Sequence, residues 1–303
     1  LMHIGADYWN NYGVHPFWPF VNRWFYGDAI FIVEPLLWAA LLPFAFVLSR
    51  ARGARALWAL LGLAMLAVAW TGPFLAPHVA AVLSLAALCS CVAQWRTRSC
   101  WISAGGALTV LLAFTLARGH ARREVMASYR ESFGTETLRQ LSSTPMPANP
   151  LCWQILAVSD DGRSYRARQG WISLNPSMIE PEECILSRMR GEPTAQRQPE
   201  NRGSTERLKW QWVHQGSLET LRRLYREDCR FAALARFARV PYWNAAGDPL
   251  TGVAGDLRYD REPGLGFAET ALGPSEPCPP VSAPWEPPAL ELMKPSTGRK
   301  PQG

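Results

Sequence analysis

The residues best suited to chemistry fall within one stretch near the start of the chain, HIGADYWNNYGVHPFWPFVNRWFYGDAIFIVEP, from His3 to Pro35. His3 and Asp7 stand four residues apart. On a helix that spacing puts both on one face, about 5–6 Å apart at Cβ, so an imidazole nitrogen and a carboxylate oxygen can point at one ion. This donor pair suits zinc or another divalent first-row metal. Two donors do not complete a site, and the same spacing also serves a surface ion pair or a capped helix end. His120 and Glu124 repeat it, but Arg122 and Arg123 beside them favour a solvated helix pair over a pair of ligands. Glu34 is the one acid inside an apolar run. Such a group is costly unless it faces a polar interior, bonds backbone freed by Pro35 or snorkels to the headgroups, so Glu34 is a candidate catalytic acid. Asp28 sits at the edge of the same run and needs no special role. Tyr12-Gly13 with Pro16 and Pro19 predicts a sharp turn that lays Phe17, Trp18 and Phe20 along a membrane interface. The spacing of Cys89 and Cys91 matches neither face of a helix and argues against a metal site there.

These candidates are positioned by a chain of two unlike halves. Its mean hydropathy of −0.08 resembles that of a soluble protein, yet Leu36 to Arg123 contains no acidic residue. Four apolar runs follow one another, Ala29–Leu48, Leu57–Ala76, Val79–Trp95 and Trp101–Ala117. A bilayer core about 30 Å thick takes about 20 apolar residues as a helix, with about 17 as the lower limit. The runs therefore predict four membrane spans, and Trp24, Trp58, Trp95 and Trp101 near their ends fit the headgroup level. Arg50, Arg52 and Arg55 separate the first two runs, and Arg96 and Arg98 separate the last two. The tendency of basic loops to stay inside makes both loops cytoplasmic and turns the two ends of the chain outward, with Arg118, Arg122 and Arg123 counting the other way. With four spans, His3 and the C-terminal half share one face in either orientation. The net charge of +6 comes from the first 123 residues, in short loops rather than on a soluble basic face, which argues against direct nucleic-acid binding.

The remaining residues balance their charges. A helix is predicted over 119–141 at the membrane surface, ended by TPMPANP, and a β-hairpin over 151–174 around the DDG turn. Residues 175–205 read as a loop, LKWQWV as a strand, and Ser217 as the cap of a helix reaching about Arg239. PYWNAAGDPLTGVAGDLRY reads as a last extended pair. From Gly273 on, nine prolines in 31 residues predict a disordered tail. Cys152, Cys184, Cys229 and Cys278 are an even set in this half, and their redox state is open. The expected fold is a membrane protein: an α-helical bundle of about four transmembrane helices followed by a small α+β soluble domain and a disordered tail. The expected divisions are an interfacial segment 1–28, the spans 29–118, the soluble domain 119–272 and the tail 273–303.

Several segments together, HIGADYWNNYGVHPFWPF, GDAIFIVEPLLW, PMPANPLCWQILAVSDDG, and LARFARVPYW followed by GDLRYD, resemble the YdjM-like, LexA-binding family of predicted inner-membrane metal-dependent hydrolases. The resemblance implies a multi-pass protein of the bacterial inner membrane with a divalent metal, zinc foremost, and phospholipase-like or related phosphoester hydrolysis. It puts the family's HxxxD on His3 and Asp7 as metal ligands, with Asp7 or an upstream acid orienting the attacking water. The family's span-entry aspartate falls on Asp28, and the acid of its usual I-V-D-P falls on Glu34. It also implies contact with the lipid bilayer, a phospholipid substrate and a LexA-type protein partner. The family's upstream HRGxTHS and PDxD motifs are not in this chain, which begins at Leu1, so a truncated N-terminus is expected. The alternative function is a non-enzymatic membrane protein whose soluble half binds a regulatory partner.

Overall fold

The computed structural model describes residues 2–72, 75–184, 195–246, 248–260, 265–273, 278–279 and 284–294. Helix α1 (Met2–Trp9) is followed by an irregular strap that folds back on it. The amides of Gly27, Asp28 and Ala29 donate to the carbonyls of Tyr8, Asn10 and Trp9. Residues 29–34, expected to begin the first span, are consequently not helical. Helix α2 (Pro35–Leu48) starts at Pro35, whose fixed φ suits a first helical position, and Glu34 caps it by accepting from the Leu36 amide. Three helices are long and apolar enough to cross a membrane: α3 (Arg52–Thr71), α4 (Pro77–Thr97) and α5 (Cys100–Phe133). α2 is as apolar but has 14 residues, about 21 Å.

α5 differs most from expectation. The boundary drawn between 118 and 119 falls inside it, because no breaker separates the last apolar run from the helix after it. Its 34 residues extend about 51 Å, well beyond a bilayer core of about 30 Å. The surplus does not lie on the membrane surface. Ala121, Val125, Tyr129 and Phe133 pack against one face of a five-stranded antiparallel sheet.

That sheet has the order β1-β2-β3-β5-β4, from β1 (Thr137–Met146), β2 (Asn149–Asp160), β3 (Ser164–Ser173), β4 (Gln198–Pro199) and β5 (Leu208–Ser217). TPMPANP therefore holds the end of β1 and the turn into β2. Side chains alternate across a strand, so Trp153, Ile155 and Ala157 meet α5 while Leu156 and Val158 enter a second core. Both faces are covered, and β2 is buried along almost its whole length. The second core is closed by α6 (Leu218–Glu227), α7 (Cys229–Ala235) and a three-stranded sheet of β6 (Pro241–Ala246), β7 (Asp248–Asp256) and β8 (Glu269–Leu272). Ser217 caps α6 as expected, but the helix does not reach Arg239. Asp228 accepts from the Arg230 and Phe231 amides and starts α7 afresh.

Of the tail expected to be disordered, residues 284–294 are described and ordered. Helix α8 (Leu290–Met293) buries Leu292 and Met293 in the second core, because a few apolar groups among the prolines suffice to anchor it. The rest of 274–303, apart from residues 278 and 279, lies outside the described residues, as does 185–194 of the predicted loop.

The four cysteines of this half pair as Cys152–Cys184 and Cys229–Cys278, with Cα separations of 5.4 and 5.7 Å, while Cys89, Cys91 and Cys100 of the helices are free. Alkylation of the denatured, unreduced protein is expected to modify three of seven cysteines, and all seven after reduction, as read by intact mass. Replacing Cys152 and Cys184 by alanine opens a link across 32 residues and lowers stability by about 3–4 kcal/mol in thermal unfolding.

Candidate functional site

Between the strap and the sheet domain lies a buried network of charges. The Arg239 guanidinium donates to Asp28 Oδ1 at 2.7 Å and to the Leu141 carbonyl at 2.7 Å, and it lies 4.0 Å over the Tyr26 ring. Asp256 Oδ2 accepts from the Arg239 amide at 2.9 Å and from Arg258 Nη2 at 2.7 Å. Arg258 in turn donates to the Asn11 carbonyl, and Asn11 Nδ2 donates to Thr144 Oγ1 at 2.9 Å. Asp28 and Arg258 are 1% exposed and Asp256 is 0% exposed. Two carboxylates and two guanidiniums balance, so the cluster carries no net charge into the interior. Burial alone works against the Arg258 charge, and the Asp256 carboxylate outweighs it, holding the guanidinium above its ordinary value.

Local backbone explains the motif residues around this network. Gly27 packs so closely that a Cβ would lie 2.2 Å from the Tyr8 carbonyl oxygen. Gly13 has φ +85°, and a Cβ there would meet the Tyr26 ring at 2.3 Å. Asp28 has φ 50°, a left-handed conformation that short polar side chains tolerate best. Asp28 was expected to need no special role. Instead it is the strap's half of a buried ion pair, and Arg239, Asp256, Arg258 and Asn11 were not singled out from the sequence. The available signal was the charge in LARFARVPYW and GDLRYD, where arginine and aspartate interrupt apolar residues that fold into a core.

Glu34 stands before α2, outside the spanning helices, and is 3% exposed. Its Oε1 accepts from the amides of Leu36 and Ala148, each at 3.1 Å, so one carboxylate both caps α2 and holds the β1–β2 turn. Its Oε2 makes no hydrogen bond among the described residues. Burial pushes the carboxyl up to about 8, against the lowering effect of the Leu36 and Ala148 amides.

His3 and Asp7 do meet. Nε2 and Oδ2 are 3.1 Å apart, on side chains 90% and 39% exposed. His120 and Glu124 are 3.8 Å apart, and Arg207 Nη1 approaches both, at 3.1 and 3.3 Å, which makes this pair part of a surface ion cluster. Among the described residues no group of three or more His, Cys, Asp or Glu is arranged to hold a metal. Glu34 and the Asp28 cluster are separate from the His3–Asp7 pair in their bonding, although the strap carries all of them. Phe17, Trp18 and Phe20 of the predicted turn are exposed.

Apolar helices of spanning length joined to a sheet-containing soluble region define a membrane protein. Residues 1–77 match the family model described as YdjM inner membrane protein. The match ends at the start of α4, so Arg239, Asp256 and Arg258 lie beyond it and are joined to the matched part by contact alone. No curated protein and no solved structure matches the chain.

Two outcomes are expected from this geometry. Asp28→Asn keeps a residue suited to φ 50° but leaves Arg239 buried without its countercharge, costing about 3–5 kcal/mol in thermal unfolding. Adding Arg239→Met to Asp28→Asn removes the unpaired buried charge while keeping a residue suited to φ 50°, and recovers much of that loss. For Glu34, the folded chain holds the proton more tightly than the unfolded chain, whose ordinary value is 4.5. Its stabilising contribution is full below that pH and is lost as pH rises through about 8. Glu34→Gln should flatten the pH dependence of the melting temperature over this window.

Proposed function

We propose that this chain is a membrane-bound, metal-dependent hydrolase of phospholipase-like type, acting on phosphoesters of lipid headgroups. The observation that carries the reading is the His3–Asp7 pair. Adjacent ligands held at about 2.1 Å from one ion stand about 3–3.4 Å apart, and the separation here is 3.1 Å. The pair fits as two ligands of a divalent ion such as zinc, exposed to incoming substrate, with further ligands required to complete the shell. A bound ion would supply an activated water and a polarised phosphoryl oxygen. In this reading His3 orients through its imidazole nitrogen and Asp7 both binds and directs the water. Glu34 leaves the catalytic set and acts as the cap that holds α2 against the β1–β2 turn.

Two independent features favour one side of the membrane for the site. α2 begins, and α3 ends, at the sheet domain, so Arg50, Arg52, Arg55, Arg96 and Arg98 gather at the opposite end of the bundle. Basic loops favour the cytoplasm, and disulfides favour an oxidising compartment outside it. Both support an outward sheet domain in a multi-pass inner-membrane protein. The second reading is a non-enzymatic partner-binding protein, and the disulfide-linked sheet domain favours an extracytoplasmic partner over a cytosolic LexA-type one.

The full-length protein, purified in detergent, is expected to retain zinc or manganese by metal analysis. His3→Ala and Asp7→Asn should weaken retention by more than about 100-fold, beyond the effect of losing an outer-shell partner. A protein that retains neither metal, and whose His3→Ala form keeps any measured phosphoester hydrolysis, would overturn the proposal.

A further inference from the structure

Arg118 and Arg122 stand four residues apart on α5, so their side chains lie on one face of the helix. That face borders the stripe packed on the sheet, because Ala121 and Val125 each follow one of the two arginines by three residues. Neither arginine makes an ion pair or a hydrogen bond among the described residues, and the Nε of Arg118 is buried without an acceptor. The charges within electrostatic reach of Arg122 are Arg118, Asp28 and Arg239. Asp28 is already paired with Arg239 at 2.7 Å, inside a network whose charges balance. Glu124, on the next turn, is taken by Arg207 at 3.3 Å. The two arginines of α5 therefore add two positive charges with no counterion on the protein. Withdrawing such charges from water is costly unless an opposite charge comes with them.

The helix sets their depth. α5 is free of charge from Cys100 to Ala117, 18 residues, or about 27 Å, which is close to a bilayer core of about 30 Å. Trp101 near its start is 80% exposed, as suits the headgroup level, and Leu108, Leu112 and Leu116 are exposed along the run. Arg118 then stands at the opposite boundary of the core, on the side of the sheet domain, with Arg122 about 6 Å further out. The headgroup region extends about 5–7 Å beyond the core, so both guanidiniums are at the level where phospholipids carry their phosphates. A guanidinium is planar, permanently charged and forked, and two of them one turn apart suit the oxygens of a single phosphate.

We propose that Arg118 and Arg122 form a binding site for a phosphate group at the membrane surface, carried by a phospholipid headgroup in the leaflet on the sheet-domain side or by free phosphate. The phosphate supplies the counter-charge that the protein does not. The site goes beyond the hydrolase reading: it needs neither metal nor turnover, and α5 lies outside the residues matched by the family model.

The test titrates the full chain, freed of lipid in dodecyl maltoside, at constant ionic strength. Its three probes are a short-chain phosphatidylglycerol, the uncharged diacylglycerol with the same chains, and inorganic phosphate. Melting is followed by tryptophan fluorescence, and affinity is read from the rise in melting temperature with ligand. Phosphatidylglycerol is expected to stabilise the chain, and diacylglycerol to leave it unchanged. Arg118→Gln combined with Arg122→Gln should weaken phosphatidylglycerol binding by about 100-fold, and each replacement alone by about tenfold. Arg123→Gln removes the same charge from an exposed neighbour and should weaken it by no more than about fivefold. Because neither arginine has a partner on the protein, the double variant should melt no lower than the original chain when no ligand is present. A response to phosphatidylglycerol alone assigns the site to a headgroup, an equal response to inorganic phosphate assigns it to free phosphate, and both support the site. A diacylglycerol response equal to that of phosphatidylglycerol, no response to either phosphate, or a double variant that responds like the original chain would overturn it. His3→Ala separates the two proposals, since that variant should bind phosphatidylglycerol like the original chain whether or not it retains metal.

Discussion

A carboxylate on the strap and a guanidinium on the sheet domain, Asp28 and Arg239, are both buried and 2.7 Å apart, and the relation between the two halves of the molecule depends on that pair. A buried ion pair is poor evidence of added stability, because desolvation cancels much of the attraction. Its consequence is for registry, since a displaced strap would leave Arg239 buried without its countercharge. Asp256 extends the constraint by binding the Arg239 amide and the Arg258 side chain together, and Arg258 reaches back to the Asn11 carbonyl. The strap is thus held to the sheet domain at Asp28 and Asn11, as it is at Trp24 and Glu34, and α1 with His3 and Asp7 is carried by it.

α5 is the second connection between membrane and sheet. Its first half is apolar on all sides, and its second half carries a stripe of Ala121, Val125, Tyr129 and Phe133 that covers the sheet. Beyond its end, Arg168 on β3 is 3% exposed and donates to Glu136 at 2.6 and 2.9 Å, with its guanidinium 3.9 Å from the Phe133 ring. One helix can therefore pass from lipid to protein core without a joint. The strap and the helix approach the sheet domain separately, so its pose relative to the bundle is fixed from two directions.

The distribution of charge and sulfur is consistent along the long axis of the molecule. Five arginines sit at the end of the bundle away from the sheet domain, and both disulfides sit within the sheet domain. The three free cysteines belong to the helices, where no second sulfur is in bonding position. Two separate tendencies bear on these patterns, that of basic loops to stay in the cytoplasm and that of disulfides to persist in oxidising compartments.

Much was legible in the order of residues: the apolar runs, the β2–β3 hairpin around DDG, the Ser217 cap, the likeness of the opening segment to the YdjM family and the closeness of His3 to Asp7. These are local properties, set by periodicity, turn chemistry and i,i+4 spacing, and neighbours in sequence suffice to determine them. The continuity of α5, the break at Asp228, the packing of α8 and the role of Asp28 were not legible. Asp28 and Arg239 are 211 residues apart and Glu34 and Ala148 are 114 apart, and no local signal names such partners. Sequence alone showed that Asp28 and Glu34 were acids beside apolar runs. Only the tertiary structure decided that each is buried, because burial depends on which distant segment arrives to cover it.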